Sequence, residues 1–151
     1  MEHQELADGA EKEFSLGLTA LAADDTLTAL ACLERALKLR DYPGWYSHLG
    51  YCIAKERGQH RRGTELCLSS LAVEPAQPVH FYNLGRVHLV SGDKAEALRV
   101  LREGMAKGGS PEIVRLLESL GTRTTPLFTM LSRTNPINRY LGLILSRLGL
   151  R

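Results

Sequence analysis

A Leu-Gly pair returns three times along this 151-residue chain, as Leu16-Gly17, Leu49-Gly50 and Leu84-Gly85, at intervals of 33 and 35 residues. A period of that size is longer than one helix or strand and shorter than a domain, so it marks a supersecondary unit that is copied and stacked. The unit is clearest over 81–105, FYNLGRVHLVSGDKAEALRVLREGM. Apolar residues recur there at helical spacing on both sides of Ser91-Gly92-Asp93. Gly92 tolerates positive φ, and Asp93 with Glu96 makes a capping-box-like start for a second helix. A second pattern keeps register with the first: Ala29…Leu33…Ala36-Leu37 is echoed by Gly63…Cys67…Ser70-Leu71 and by Ala97…Leu101…Gly104-Met105. Small residues recur where two helices have to approach closely and larger apolar ones where the next pair packs. One pair therefore cannot bury its own face, and stacking is required.

Taken in order, the patterns predict a solvated acidic leader over 1–9 and helices over about 10–23, 27–39, 44–57 and 59–73. A pair opened by Pro78 and a further helix over 111–120 follow, the latter capped by Ser110 and started by Pro111. In the first helix Phe14, Leu18 and Leu21 share one face. Asp24-Asp25-Thr26, Asp41-Tyr42-Pro43-Gly44, Gly58 and Pro75 supply the breaks. No period-two strand and no hairpin turn between apolar runs is present, so the expected fold is all-α. The repeats fall at about 10–42, 43–77 and 78–109, within a domain over 10–121.

Residues 122–151 leave the pattern. Pro126, Leu127, Phe128, Met130 and Leu131 form a broken apolar stretch. Asn135-Pro136 then opens a helical stripe of Ile137, Tyr140, Leu141, Ile144 and Leu148, with arginines off the stripe. Three readings compete for this basic C-terminal arm: a capping element over the last repeat, a partner-docking or self-association arm, and a helix lying on an anionic membrane surface.

The recurring positions resemble the tetratricopeptide repeat, a helix–turn–helix of ~34 residues with a Trp-x-x-Leu-Gly-x-x-Tyr pattern, then Ala, then a closing Pro. The match covers about 10–109. It is strongest where Phe81, Leu84, Gly85, Gly92 and Ala97 fall at the family's spacing. The second repeat carries one extra residue before Gly58 and Gly63 at its small inter-helix position, the third lacks the closing proline, and the first has Ala20 where an aromatic is usual. The resemblance implies a tetratricopeptide-like right-handed α-solenoid of three helix-turn-helix repeats plus capping helices. It also implies a non-catalytic role, with another polypeptide held on the concave face lined by the first helix of each pair.

On those first helices, Ser47, His48, Tyr51 and Lys55, then Tyr82, Asn83, Arg86 and Val90, flank the Leu-Gly pairs. They are the candidate partner-binding residues: Tyr51 and Tyr82 for apolar area, Asn83 for a peptide backbone, Lys55 and Arg86 for carboxylates. The alternative is an ordinary solvated helix face. Asn83 also resembles the amide of repeats that clamp chaperone C-terminal tails. Phe14 and Leu18 stand where such a clamp needs Lys and Asn, so tail clamping is not expected.

Composition narrows the remaining classes. The balance of 19 basic and 17 acidic residues lacks the basic excess of nucleic-acid binders. The charge is unevenly spread: Glu2, Glu5, Asp8, Glu11, Glu13, Asp24 and Asp25 face Lys12 alone, whereas five arginines and no acid follow Glu118. Cys32, Cys52 and Cys67 match no metal-ligand spacing and are expected as reduced core thiols. His60 with Arg57, Arg61 and Arg62 is expected to be solvated surface. There is no phosphate loop, nucleophile elbow, zinc helix or calcium loop, and so no cofactor is expected. The start has no secretory character and no stretch reaches the ~20 apolar residues of a membrane span, which points to the cytoplasm. Two roles besides an adaptor stay open: a small cytoplasmic chaperone for a secretion or assembly substrate, and a membrane-surface scaffold acting through the C-terminal arm.

Overall fold

The computed structural model describes residues 1–121, so the amphipathic stripe read over 135–148 and the rest of the C-terminal arm lie outside the described residues. Seven helices follow one another: α1 (Glu2–Ala22), α2 (Thr26–Leu39), α3 (Tyr46–Arg57), α4 (His60–Val73), α5 (Pro78–Val90), α6 (Lys94–Ala106) and α7 (Pro111–Ser119), with one 3-10 turn at Pro43–Trp45 ahead of α3. Each break has a local cause. Asp25, Asp93 and Ser110 accept from the backbone N–H three residues on, which satisfies an orphan donor at each helix start. Gly58 (φ 66°) and Gly92 (φ 84°) take the left-handed conformation that ends α3 and follows α5.

One expectation is corrected at the N-terminus. The leader over 1–9 is not a separate solvated stretch, because α1 begins at Glu2. Its residues are good helix formers, Glu2 and Glu5 sit in the first turn against the positive helix end, and the Gln4 side chain donates to Asp8 at 3.0 Å. Further along, Glu11 pairs with Arg40 at 2.8 Å and Glu13 with Arg35 at 3.0 Å. Two of the clustered acids are thus matched by basic residues of α2 and its C-terminal cap.

The helices pack as pairs, α1 on α2, α3 on α4 and α5 on α6; α3 and α4 then meet α5, α2 meets α3, and α6 meets α7. The pattern carried by the second helices is the interior. Ala29, Leu33, Ala36, Cys67, Ser70, Ala97 and Leu101 have no exposed surface, and Gly63 and Gly104 are buried with them. In the Leu-Gly pairs the glycine, not the leucine, is the constant structural element. Leu16 is 48% exposed while Leu84 is buried, yet all three glycines are buried against the second helix of their pair. A Cβ on Gly17 would meet the Leu33 side chain at 3.1 Å, and one on Gly85 the Leu101 side chain at 2.6 Å.

The middle pair is tighter. A Cβ on Gly50 would lie 2.6 Å from the Gly63 carbonyl oxygen, and one on Gly63 would lie 2.6 Å from the Gly50 carbonyl oxygen. Two backbones touch there, which explains why Gly63 replaces the alanine found at the matching places of the other repeats. Cys32, Cys52 and Cys67 are free and buried, and burial pushes the Cys52 thiol up to about 12 and the Cys67 thiol up as well. Neither is an available nucleophile. No described helix is long and apolar enough to cross a membrane.

The glycine contacts set an order of sensitivity. Gly50→Ala drives a methyl into backbone and should cost about 1–3 kcal/mol. Gly17→Ala meets side chains at 3.1 Å or more and no backbone, and should cost less than half as much. Urea unfolding midpoints of the two variants test the order; equal midpoints would show that the α3–α4 crossing opens without penalty.

Candidate functional site

The candidate residues divide into two groups that sequence could not separate. Ser47, His48, Tyr51 and Asn83 are buried. They belong to the joint between the second and third repeats; Ser47 and Tyr51 do not line the groove described below, and His48 and Asn83 reach it only at its back. The reason is the polarity of that joint. At the start of α3, which has no side-chain cap, the Ser47 N–H donates to Ser70 Oγ at 2.8 Å, and the Ser70 hydroxyl donates to the Pro43 carbonyl at 2.7 Å. An orphan helix-start donor is therefore satisfied from α4.

The Ser47 side chain continues the network. Its Oγ lies 2.7 Å from His80 Nδ1 and accepts from Asn83 Nδ2 at 3.0 Å, while His80 Nε2 lies 2.6 Å from the Glu74 carboxylate. An ionised carboxylate only accepts, so Nε2 carries the proton, and in the neutral ring Nδ1 accepts from the serine hydroxyl. Tyr42 donates to the other Glu74 oxygen at 2.6 Å. Bonds from Tyr42 first and His80 second hold the Glu74 carboxyl below its ordinary range. Asn83 Nδ2 also lies 3.3 Å from His48 Nδ1.

The order Ser47–His80–Glu74 has the connectivity of a nucleophile, a base and an orienting acid. It lacks access: Ser47 is 0% and His80 1% exposed, and the serine oxygen already accepts from Asn83. The arrangement is a clasp between repeats. Among the described residues, no group of three or more His, Cys, Asp or Glu is placed to hold a metal ion.

The other candidates are more open. Lys55 pairs with Asp24 at 3.3 Å, and Val90 lies at the exposed end of α5. Neither lines the groove that the first helices form. That groove, about 340 Å³, is lined by Leu18, Leu21 and Ala22 of α1, His48 of α3, Val79, Tyr82, Asn83 and Arg86 of α5, and Ser110 and Glu112 at the start of α7. Tyr82 and Arg86 are thus the candidates it brings together on an accessible wall, with His48 and Asn83 behind them. The Arg86 guanidinium carbon sits over the Tyr51 ring, 3.4 Å from its centre, and over Tyr82 at 4.9 Å.

Sequence reading missed Leu18, Leu21, Ala22, Val79, Ser110 and Glu112 as lining residues. Val79, Tyr82 and Arg86 follow the i, i+3, i+7 spacing of one helix face, so a signal for Val79 was present. Leu18 shares one helix face with Phe14 in the sequence, but the two separate in the fold. Phe14 does pack inward, stacked on Trp45 at 4.4 Å with its edge to His48, whereas Leu18 is 38% exposed.

Comparison with solved structures places this arrangement. The Sgt2 TPR domain from Aspergillus fumigatus superposes with a TM-score of 0.55 over 73% of this chain and 75% of that one, at 24% identity. The N-terminal domain of stress-induced protein-1 (STI-1) from C. elegans superposes with a TM-score of 0.51 over 78% of this chain and 98% of that one, at 17% identity. The chain folds as a tetratricopeptide-repeat domain. Its sequence is also 31% identical over 93 residues to Tetratricopeptide repeat protein 17 of Rattus norvegicus; the match takes in 59% of this chain and 8% of that protein's length. No family model matches the chain. The tetratricopeptide repeats here are thus helix pairs whose second-to-third joint is polar and whose first-to-second joint is aromatic.

The buried clasp makes stability depend on pH. Desolvation first, with the Arg86 guanidinium adding to it, pulls the His48 imidazole down from 6.5 to about 4, against a small opposing effect of Glu74. The unfolded chain therefore binds the extra proton between those values, and stability is lost as pH falls through that interval. The depressed Glu74 carboxyl adds a further loss only below its ordinary value of 4.5. The domain should be about 2 kcal/mol less stable at pH 5 than at pH 7, and His48→Gln should remove most of that difference. Urea titrations at the two pH values check it; an undiminished difference in the variant would assign the loss elsewhere.

Proposed function

We propose that this tetratricopeptide-repeat domain is a non-catalytic adaptor that holds a short peptide or helix of another protein in the groove between α1, α5 and α7. The observation that carries the reading is the lining itself. Leu18, Leu21, Val79 and Tyr82 come from separate repeats and converge on one open cavity, and Leu18, Val79 and Tyr82 keep accessible surface there. Apolar side chains left facing an open groove gain free energy when a partner covers them, roughly 1.5–3 kcal/mol for a residue such as leucine.

Size favours an adaptor over a chaperone for an unfolded client. A groove of about 340 Å³ is near the lower end of the roughly 300–1,000 Å³ of ligand pockets. It admits a few side chains of one segment. A holdase needs a broad apolar surface. The similarity to solved repeat domains supports the same class of role through the shared fold.

Panning a random-peptide library against the whole chain supplies the probe. Leu18→Glu should weaken a selected peptide by about tenfold or more, since one buried leucine contact is worth at least 1.4 kcal/mol. Its urea midpoint should stay near wild type because Leu18 is partly exposed already. Selection of no peptide, or wild-type affinity in the variant, would remove the groove reading.

A further inference from the structure

Arg86 is placed unlike the other arginines that the fold holds in contacts. Arg35, Arg40, Arg57, Arg61, Arg99 and Arg115 each have a carboxylate within 4.0 Å. Arg86 has none among the described residues, and none of its guanidinium N–H groups donates to a described acceptor; the guanidinium lies over the faces of Tyr51 and Tyr82. Stacking fixes the plane of a guanidinium and leaves its five in-plane N–H donors directed sideways. The side chain lines the groove. The result is a rigid donor fork, oriented before any ligand arrives and lacking an acceptor in the described part of its own domain.

The charge around the fork narrows what it takes. His48, at the back of the groove, is held neutral at physiological pH by burial. Glu112 lies in the same lining, 3.9 Å from Arg115 on the exposed side of α7. Among the described residues the groove therefore presents one unpaired cation and one weakly paired anion. A phosphate of charge near −2 is usually met by a cluster of arginines and, among the described residues, would face Glu112 with only Arg86 to hold it. A carboxylate carries a single charge and matches one planar fork with two parallel bonds.

Resting on the groove reading above, we propose that Arg86 is the specificity-determining residue of the groove and selects an Asp or Glu side chain in a peptide of another protein, next to an apolar residue seated against Leu18, Leu21 and Val79. Residues 119–151 contain no Asp or Glu side chain. Lys55 does not share the role, because it is paired with Asp24 and lies outside the lining.

The random-peptide selection tests this at the ligand as well as the protein. Selected peptides should share one acidic residue at fixed spacing from an apolar one. Replacing that acid by Asn or Gln in a synthetic peptide should weaken binding about tenfold to a hundredfold, as expected for loss of a charged hydrogen bond. Arg86→Met should cost the same for the acidic peptide and little for its amide analogue, and Arg86→Lys should recover only part of the loss because the fork is gone. Peptides that bind the wild-type groove without an acidic residue, or acidic peptides indifferent to Arg86→Met, would overturn the assignment and leave the groove reading standing. Tighter binding of the phosphoserine analogue would replace carboxylate by phosphate. Stronger binding of a synthetic peptide of residues 1–9, itself acidic and apolar, would assign the groove to a second copy of the chain.

Discussion

The hydrogen bond between Ser47 and His80 is the contact on which the arrangement of the second and third repeats depends. It joins α3 to α5, and through Nε2 of the same ring it ties both to Glu74 in the α4–α5 connection. Asn83 closes the network from the groove side. Apolar stacking alone would let two repeats slide or rotate with little change in buried area. A buried polar set has few arrangements in which every donor finds its acceptor, and leaving one unmet costs about 1–3 kcal/mol. The clasp thereby sets the angle between α3 and α5, and with it the position of Tyr82 and Arg86 on the groove wall.

The first two repeats are joined differently. Phe14 of α1 stacks on Trp45, Tyr42 meets Trp45 edge to face, and Arg40 covers both rings of that pair. Exposed bridges from Lys55 to Asp24 and from Arg57 to Glu34 run across the same joint and add little individually. An aromatic joint and a polar joint on opposite sides of α3 make that helix the part of the domain that is used on every face. This is why so few of its residues remain for a ligand, and why the accessible part of the groove is built from α1, α5 and α7 around it.

How much of this was legible follows from the type of signal. Helix pairing, caps and the close-packed positions are local or periodic, and the glycines and alanines of the three units stood out in the chain because backbone contact excludes larger side chains. The site was legible only in part. Tyr82 and Arg86 stand on the groove wall, but Ser47, His48, Tyr51 and Asn83 share their helix faces and are buried. Nothing in a helical period distinguishes a polar residue facing water from one facing a polar residue of the next repeat. His80 shows the same gap: its partners, Ser47 and Glu74, lie on different elements and outside any motif spacing.

The sequence by itself determined that this chain is a stack of helix pairs, because a period of 33 to 35 residues with small residues at matched places cannot be satisfied by one pair alone. Only the tertiary structure decided which polar residues became interior and which stayed available. That choice depends on the rotation of one repeat against the next, where Ser47 meets His80 while Arg86 lies over Tyr51 and its side-chain donors meet no acceptor among the described residues. Rotation between repeats is a property of contacts among side chains far apart in the chain, and no single repeat carries it.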